Sequence, residues 1–486
     1  FAESTQSDAG YTAANGFYTS HSGFQDELAW SAAWLYIATG EDKYLSAAKN
    51  HFGQTNQDYK WMHCWDDVSL GAAYLLAQQT DEELYKNHIE KNLDYWTTGV
   101  NGERITYTPK GLAWLDSWGS LRYSTTAAFV AAVYADSSMC TPSKVKTYQD
   151  FALEQVNYAL GSTGISYEIG FSEHYPQNPH HRTAQGSYSN NMNEPAVARH
   201  TLYGALVGGP DASDNYDDSV SNYVNNEVAC DYNAGFVGAL AHLYGTYGGK
   251  TLVDFGAVEE ITEAEVFINA AINTSGADHT EVKAYVTNVS AWPARTLKNV
   301  TLRYFMDLSE VYASGGTKAD VKLTTNYSQG GNAGGILPWN EEEHIYYAEI
   351  DFGDTLIYPG GQDCYRKEVQ FRVTSGTDWD PSNDFSYQDI AGSNSGTLLN
   401  APHMALYENG ALVFGSEPDE EGVDVSASEG TDKLPSQEGT GSGNNQDNNA
   451  PSGNDQDSNV PSGSNKGEAE GDRILLKLEN QAASGS

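Results

Sequence analysis

The stretch Tyr216-Asp217-Asp218 … Tyr223-Val224-Asn225-Asn226-Glu227-Val228-Ala229-Cys230-Asp231-Tyr232-Asn233-Ala234 sets two carboxylates, Asp218 and Glu227, among aromatics and amides. An apolar run with helical spacing follows directly. This mixture suits cleavage of a bond between sugars, where one carboxyl protonates the leaving oxygen and others activate water and steady positive charge on the ring. Taken alone, Glu227 is also readable as a solvated acid at a helix start, where negative charge is favoured. A second cluster runs from Ser166-Tyr167-Glu168-Ile169-Gly170-Phe171 to Pro176-Gln177-Asn178-Pro179-His180-His181-Arg182. Its adjacent histidines lack His-x3-His or carboxylate spacing, which argues against a metal there.

Several elements must position these groups. Apolar periodicity predicts helices over 26–36, ending at Gly40, and over 70–77, 125–134, 150–160, 196–207 and 234–247. Residues 1–250 thus read as an all-α half with long aromatic-rich loops, where function is expected. From 258 to 415 the pattern changes to short β-type runs, 266–272, 281–287, 300–305, 344–352 and 368–373, which predict a β-sandwich. Residues 416–472 form a Ser/Gly/Asn/Asp/Glu tract with a near-repeat at Pro451-Ser452-Gly453 and Pro461-Ser462-Gly463. Too little apolar surface is available there to offset ordering entropy, so a disordered acidic linker is expected. The run Ile474-Leu475-Leu476-Lys477-Leu478 within 473–486 reads as the start of a further module.

Composition narrows the partners. The net charge of −40 repels nucleic acid and anionic membranes, whereas 32 Tyr and 10 Trp suit a neutral ligand with stacking faces, such as a polysaccharide. An acidic, soluble extracellular protein of another kind has the same composition. Cys64, Cys140, Cys230 and Cys364 show no Cys-x-x-Cys spacing and are expected as buried free thiols.

The motif Tyr216-x-Asp218-x4-Tyr223-x3-Glu227-x-Ala229-x3-Asn233-Ala234 resembles the carboxylate signature of family-9 glycoside hydrolases, mostly endoglucanases. The cluster from Ser166 to Arg182 resembles that family's histidine signature, and the segment from Gly111 to Tyr123 resembles another of its segments. The resemblance implies the C-terminal part of an (α/α)6 barrel in a secreted enzyme that hydrolyses cellulose with inversion. It implies Glu227 as general acid, held protonated by apolar and aromatic surroundings. Asp218 would be the supporting carboxylate, and His180 and Arg182 would bind sugar hydroxyls. Trp61, Trp118, Tyr123 and Tyr232 match groove aromatics that stack on glucose, although a lone Trp is as readily a core residue. A structural calcium is implied at Ser22, Gly23, Asp26, Glu27 and Asp66. Hard oxygen ligands suit Ca²⁺, yet Asp26 and Glu27 also fit an ordinary acidic first helical turn.

The sequence departs from the family pattern at Ser172, His174 and His21. More consequentially, the family's base lies in an Asp-Ala-Gly-Asp motif. Ser7-Asp8-Ala9-Gly10-Tyr11 has only the first part of it and reads as mid-domain sequence. The expectation is an N-terminally truncated chain that carries the acid, with the base upstream and activity impaired. The β half resembles family-3 carbohydrate-binding modules of the c subtype, which extend the groove and feed it a cellulose chain. That resemblance implies a second calcium at Asp307, Asn383 and Asp384, with carbonyls of Phe305 and Asp380. Turn chemistry alone also explains Asn383-Asp384. A further cellulose-binding module or a dockerin is expected downstream. Two rival functions remain open: a non-catalytic carbohydrate-binding protein, and a glucanase for xyloglucan or mixed-linkage glucan.

Overall fold

A computed structural model describes residues 2–7, 10, 12–14, 16–249, 259, 261 and 264–418. Asp8 of the partial motif, most of the expected linker and the run at 473–486 lie outside the described residues. Seven long helices fill the first half: α1 Gln25–Thr39, α2 Asp42–Phe52, α3 Ser69–Thr80, α4 Glu83–Trp96, α5 Ser120–Ala135, α6 Val145–Ala159 and α7 Cys230–Tyr247. They pack as hairpins α1/α2, α3/α4 and α5/α6, with α7 laid along α5. Gly40, left-handed at φ 69°, ends α1. Close approach is bought by small residues. The Trp30 ring lies on Gly71 of α3, and Gly235 of α7 sits against Thr126 of α5. Phe52, Leu76, Ile89, Leu93, Trp96, Tyr134, Tyr148 and Phe236 form the buried core.

The segment expected as a helix over 196–207 is not one. Its backbone donors are spent on tertiary partners: Arg199 N on Gln185 O, His200 N on Ala184 O and Val207 N on Tyr167 O. Of the four thiols, Cys64 and Cys140 are buried, but Cys230 is exposed and Cys364 half-buried, contrary to expectation.

The second half is a two-sheet sandwich built from β1 Val266–Gly276, β2 His279–Asn288, β3 Val300–Asp307, β4 Val321–Ser328, β5 Asn332–Asn340, β6 Ile345–Asp351, β7 Arg366–Ser375, β8 Leu399–Asn400, β9 Met404–Glu408 and β10 Ala411–Phe414. One sheet runs β8-β1-β2-β7-β4 and the other β10-β9-β3-β6-β5. All pairings among these strands are antiparallel. Alternation places Val282, Ala284 and Val286 of β2 and Val369, Phe371 and Val373 of β7 in the core. The edge strands β4 and β5 are bulged, at Thr325/Tyr327 and at Ala333/Gly335 and Pro338/Asn340. The first residues assigned to the linker are packed: Ser416 N donates to Pro402 O.

The two halves touch through the segment 187–201. Gly360 N donates to Tyr188 O at 2.7 Å, and Arg199 Nη1 donates to Val289 O at 2.7 Å. Arg199 also lies over the Trp292 ring, and His200 Nδ1 pairs with Glu259 at 2.6 Å.

Candidate active site

Four backbone segments meet beneath Glu227. Tyr167 accepts from Val207, Glu227 O accepts from Gly208 N at 2.9 Å, and Asn226 O accepts from His180 N at 2.8 Å. Glu227 follows the short helix Tyr223–Asn226 in extended conformation, three residues before α7. Trp118 precedes α5, whose N-cap Gly119 is left-handed at φ 72°. A Cβ on Gly119 would come within 2.8 Å of the Tyr232 hydroxyl, so only glycine lets this turn lie against α7.

The result is a convergence on one oxygen. Glu227 Oε2 accepts from Trp118 Nε1 at 2.7 Å and from the Tyr232 hydroxyl at 3.1 Å. Arg122 braces both donors. Its Nη2 donates to Trp118 O at 3.0 Å and to the Tyr123 hydroxyl at 2.8 Å, and its guanidinium lies over the Tyr123 and Tyr232 rings. Asp231 pairs with it at 3.3 Å.

Asp218 binds the histidine segment to this turn. Its oxygens accept from Gln177 N at 2.7 Å, Asn178 N at 3.0 Å and Asn226 Nδ2 at 3.0 Å. His180 Nδ1 lies 2.5 Å from Val220 O, to which it must donate, since a carbonyl can only accept. His181 caps the short helix Arg182–Gln185 by accepting from Ala184 N. Arg182 is exposed, and its Nη1 donates to Asn190 Oδ1 at 2.6 Å.

Two of the four expected stacking aromatics need correction. Tyr123 and Tyr232 are 4% and 1% exposed, so neither ring face is open to a sugar. Their hydroxyls are engaged instead, Tyr232's with Glu227 and Tyr123's with Arg122. Trp118, 45% exposed, does present surface, and Trp61 packs edge-on against Tyr123. Sequence reasoning passed over Tyr223, 44% exposed and set between Trp118 and His180, and over Arg122. Tyr223 stands inside the quoted motif, and its place beside Glu227 was the available signal.

At the first expected cation site, Asp66 carboxylate oxygens accept from His21 N at 3.0 Å, and Ser22 Oγ donates to Asp66 O at 2.5 Å. Asp26 Oδ2 accepts from Val68 N at 2.9 Å, while its Oδ1 is buried without a partner. Glu27 is exposed as a residue, but partial desolvation of its carboxyl first, then Asp26 and Asp66, push it up to about 8. Gly23, at φ 87°, turns its carbonyl to Ser20 Oγ. At the second site, the wholly buried Asp384 accepts from Asp307 N at 3.0 Å and Tyr304 Oη at 3.1 Å. Burial raises its carboxyl well above the ordinary range. Asp307 accepts from Ser309 N, Asp380 from Ser382 N, and Phe305 N donates to Ser386. Asn383 Nδ2 lies 3.5 Å from Glu310, a carboxylate the sequence reading omitted. Among the described residues no three His, Cys, Asp or Glu side chains group to hold a metal. Calcium sites also draw on carbonyls, hydroxyls and water.

Both halves of the chain are similar to known proteins. Residues 1–240 match the model of glycosyl hydrolase family 9, and residues 267–415 match that of a cellulose binding domain. Endoglucanase A of Bacillus pumilus is 44% identical over 84% of this chain and 63% of its own length. Endoglucanase B of Cellulomonas fimi is 43% identical over 84% of this chain and 39% of its own. The chain thus spans less than two thirds of these relatives. The crystal structure of endoglucanase CelQ from Clostridium thermocellum, complexed with cellobiose and cellotriose, superposes with TM-score 0.81 at 45% identity, covering 86% of this chain and 72% of that one. The helical half of this chain therefore belongs to glycosyl hydrolase family 9, and its β-sandwich is a cellulose binding domain.

Proposed function

We propose that the chain carries the acid side of an endo-β-1,4-glucanase centre that cleaves cellulose chains with inversion. The convergence of Trp118 and Tyr232 on Glu227 Oε2 is the observation that carries this reading. Oε2 serves as acceptor, and Oε1 delivers the proton to the glycosidic oxygen. His180, with Nδ1 engaged by Val220 O, turns Nε2 to a sugar hydroxyl. Arg182 donates to another, Trp118 stacks, and Asp218 holds the histidine segment in register. Relatives named endoglucanases and the cello-oligosaccharides bound to CelQ support a β-1,4-glucan as substrate.

In this reading water is activated by an upstream carboxylate, about 6.5–9.5 Å from the acid. Exposed Trp34, Leu35 and Ile37 on α1 and Val237 and Tyr244 on α7 support a longer parent whose further helices cover them. The parent is read as secreted, with another cellulose-binding module or a dockerin after the linker. Calcium is proposed as a structural ion. Ser22, Gly23, Asp26, Glu27 and Asp66 would hold it in the helical half, where the orphaned Asp26 Oδ1 favours it. Asp307, Asn383 and Asp384, with Phe305 and Asp380 carbonyls, would hold it in the sandwich. There it would neutralise clustered carboxylates and tie loops together.

Glu227→Gln in the full-length protein is expected to cut reducing-sugar release from carboxymethylcellulose by about a thousandfold or more, with cellulose binding retained. Normal hydrolysis would refute the assignment. Parallel assays on xyloglucan and mixed-linkage glucan separate the rival specificities.

A further inference from the structure

Arg182 owes its direction to a residue outside the expected site. Its guanidinium donates to Asn190 Oδ1 at 2.6 Å. Asn190 is left-handed at φ 58°, so its side chain leaves the loop in one direction. Three contacts fix that loop from the helical side: Ser189 Oγ donates to Glu194 at 2.7 Å, Tyr188 Oη donates to Glu194 at 3.3 Å, and Gln185 Nε2 donates to Met192 O at 2.6 Å. The β-sandwich fixes it from the other side. Gly360 N donates to Tyr188 O at 2.7 Å, and the Tyr188 and Tyr365 rings stand 5.0 Å apart. A Cβ on Gly361 would come within 3.3 Å of Asn190 Cβ and 3.4 Å of its amide nitrogen.

We propose that Asn190 is a positioning residue for Arg182, and that the 358–365 turn of the sandwich holds Asn190 in place. Docking of the β-sandwich then sets the affinity of the cleft itself, including for chains too short to reach the sandwich. The proposal rests on the reading of Arg182 as a sugar-binding residue. A charge-assisted hydrogen bond that orients such a residue is worth enough for about a tenfold change in binding.

The test is steady-state kinetics of the full-length protein on cellotetraose. Asn190→Gly removes the amide and keeps the left-handed backbone unstrained, and should raise KM about tenfold, with the larger part of the effect in KM. Asn190→Asp keeps the acceptor oxygen and should stay near the parent. Gly361→Ala, at a position with no positive φ, should push on Asn190 and raise KM about threefold. In an Arg182→Ala background, neither Asn190→Gly nor Gly361→Ala should add a further loss. Additive losses, or an unchanged KM for Asn190→Gly, would overturn the relay while leaving the cleft assignment standing. An unchanged KM for Arg182→Ala alone would remove the sugar-binding role, and the relay with it.

Discussion

Glu227 meets donors from two directions in the chain. Tyr232 lies five residues onward, in the first turn of α7, and Trp118 lies 109 residues back. The sequence points to both as groove aromatics; that both donate to one carboxylate oxygen was not legible, because a separation of 109 residues carries no periodic signal. Asp218 and Glu227 could be picked out by type and spacing, but their unequal tasks could not. Asp218 has its oxygens taken by amides of Gln177, Asn178 and Asn226, which makes it a fastener for the cleft floor. Tyr232→Phe removes one hydroxyl from a buried ring without changing its shape. The bond becomes charge-assisted as Glu227 gives up its proton, so its loss, about 1.5–3 kcal/mol in the transition state, should lower kcat of the full-length protein roughly 10- to 100-fold, with the thermal midpoint nearly unchanged. An unaltered kcat would mean that the hydroxyl does not position the acid.

At the scale of elements, helices with continuous apolar or small-residue faces were readable, as α1, α3, α5 and α7 show. The helices α2 and α4 were missed because Lys, Asn and Asp dilute their stripes; Ala48 and Phe52 in α2 and Ile89, Leu93 and Trp96 in α4 carry the burial. Strands β4, β5 and β8 to β10 were missed: β4 and β5 are largely exposed edge strands rich in Thr, Asn and Gly, and β8 to β10 are only two to five residues long. The apolar spacing over 196–207 misled because only Leu206 and Val207 are buried, Val197 and Tyr203 stay exposed, and the backbone is held by other segments. Helix contact depends on glycine. A Cβ at Gly235 would lie 2.7 Å from Thr126 Cα, so backbone must shift to admit it. Gly235→Ala is expected to destabilise the protein by about 1–3 kcal/mol, read as a lower denaturant midpoint. Gly245 in the same helix has nothing within 4 Å of its Cβ position, and Gly245→Ala should not destabilise.

For the whole molecule, the acidic knot between the 20–27 and 64–67 loops links stability to pH. Glu27, raised to about 8 from 4.5, binds more protons folded than unfolded between those values. Stability should therefore fall as pH rises from about 4.5 to 8 in the presence of a chelator. Calcium bound at the proposed site would remove that penalty by favouring the carboxylate. Scanning calorimetry should show added Ca²⁺ raising the midpoint by more at pH 8 than at pH 5; equal midpoints with and without Ca²⁺ at pH 8 would remove the proposed ion. No helix among the described residues is long and apolar enough to cross a membrane. Of the sandwich's four edge strands, β4 and β5 are interrupted by bulges, β5 adds Gly334, Gly335 and Pro338, and β8 is only two residues long. Such margins offer no straight ladder of unpaired amides to a neighbour. Copies of the chain crowded side by side can thus stay separate particles instead of zipping into a common sheet.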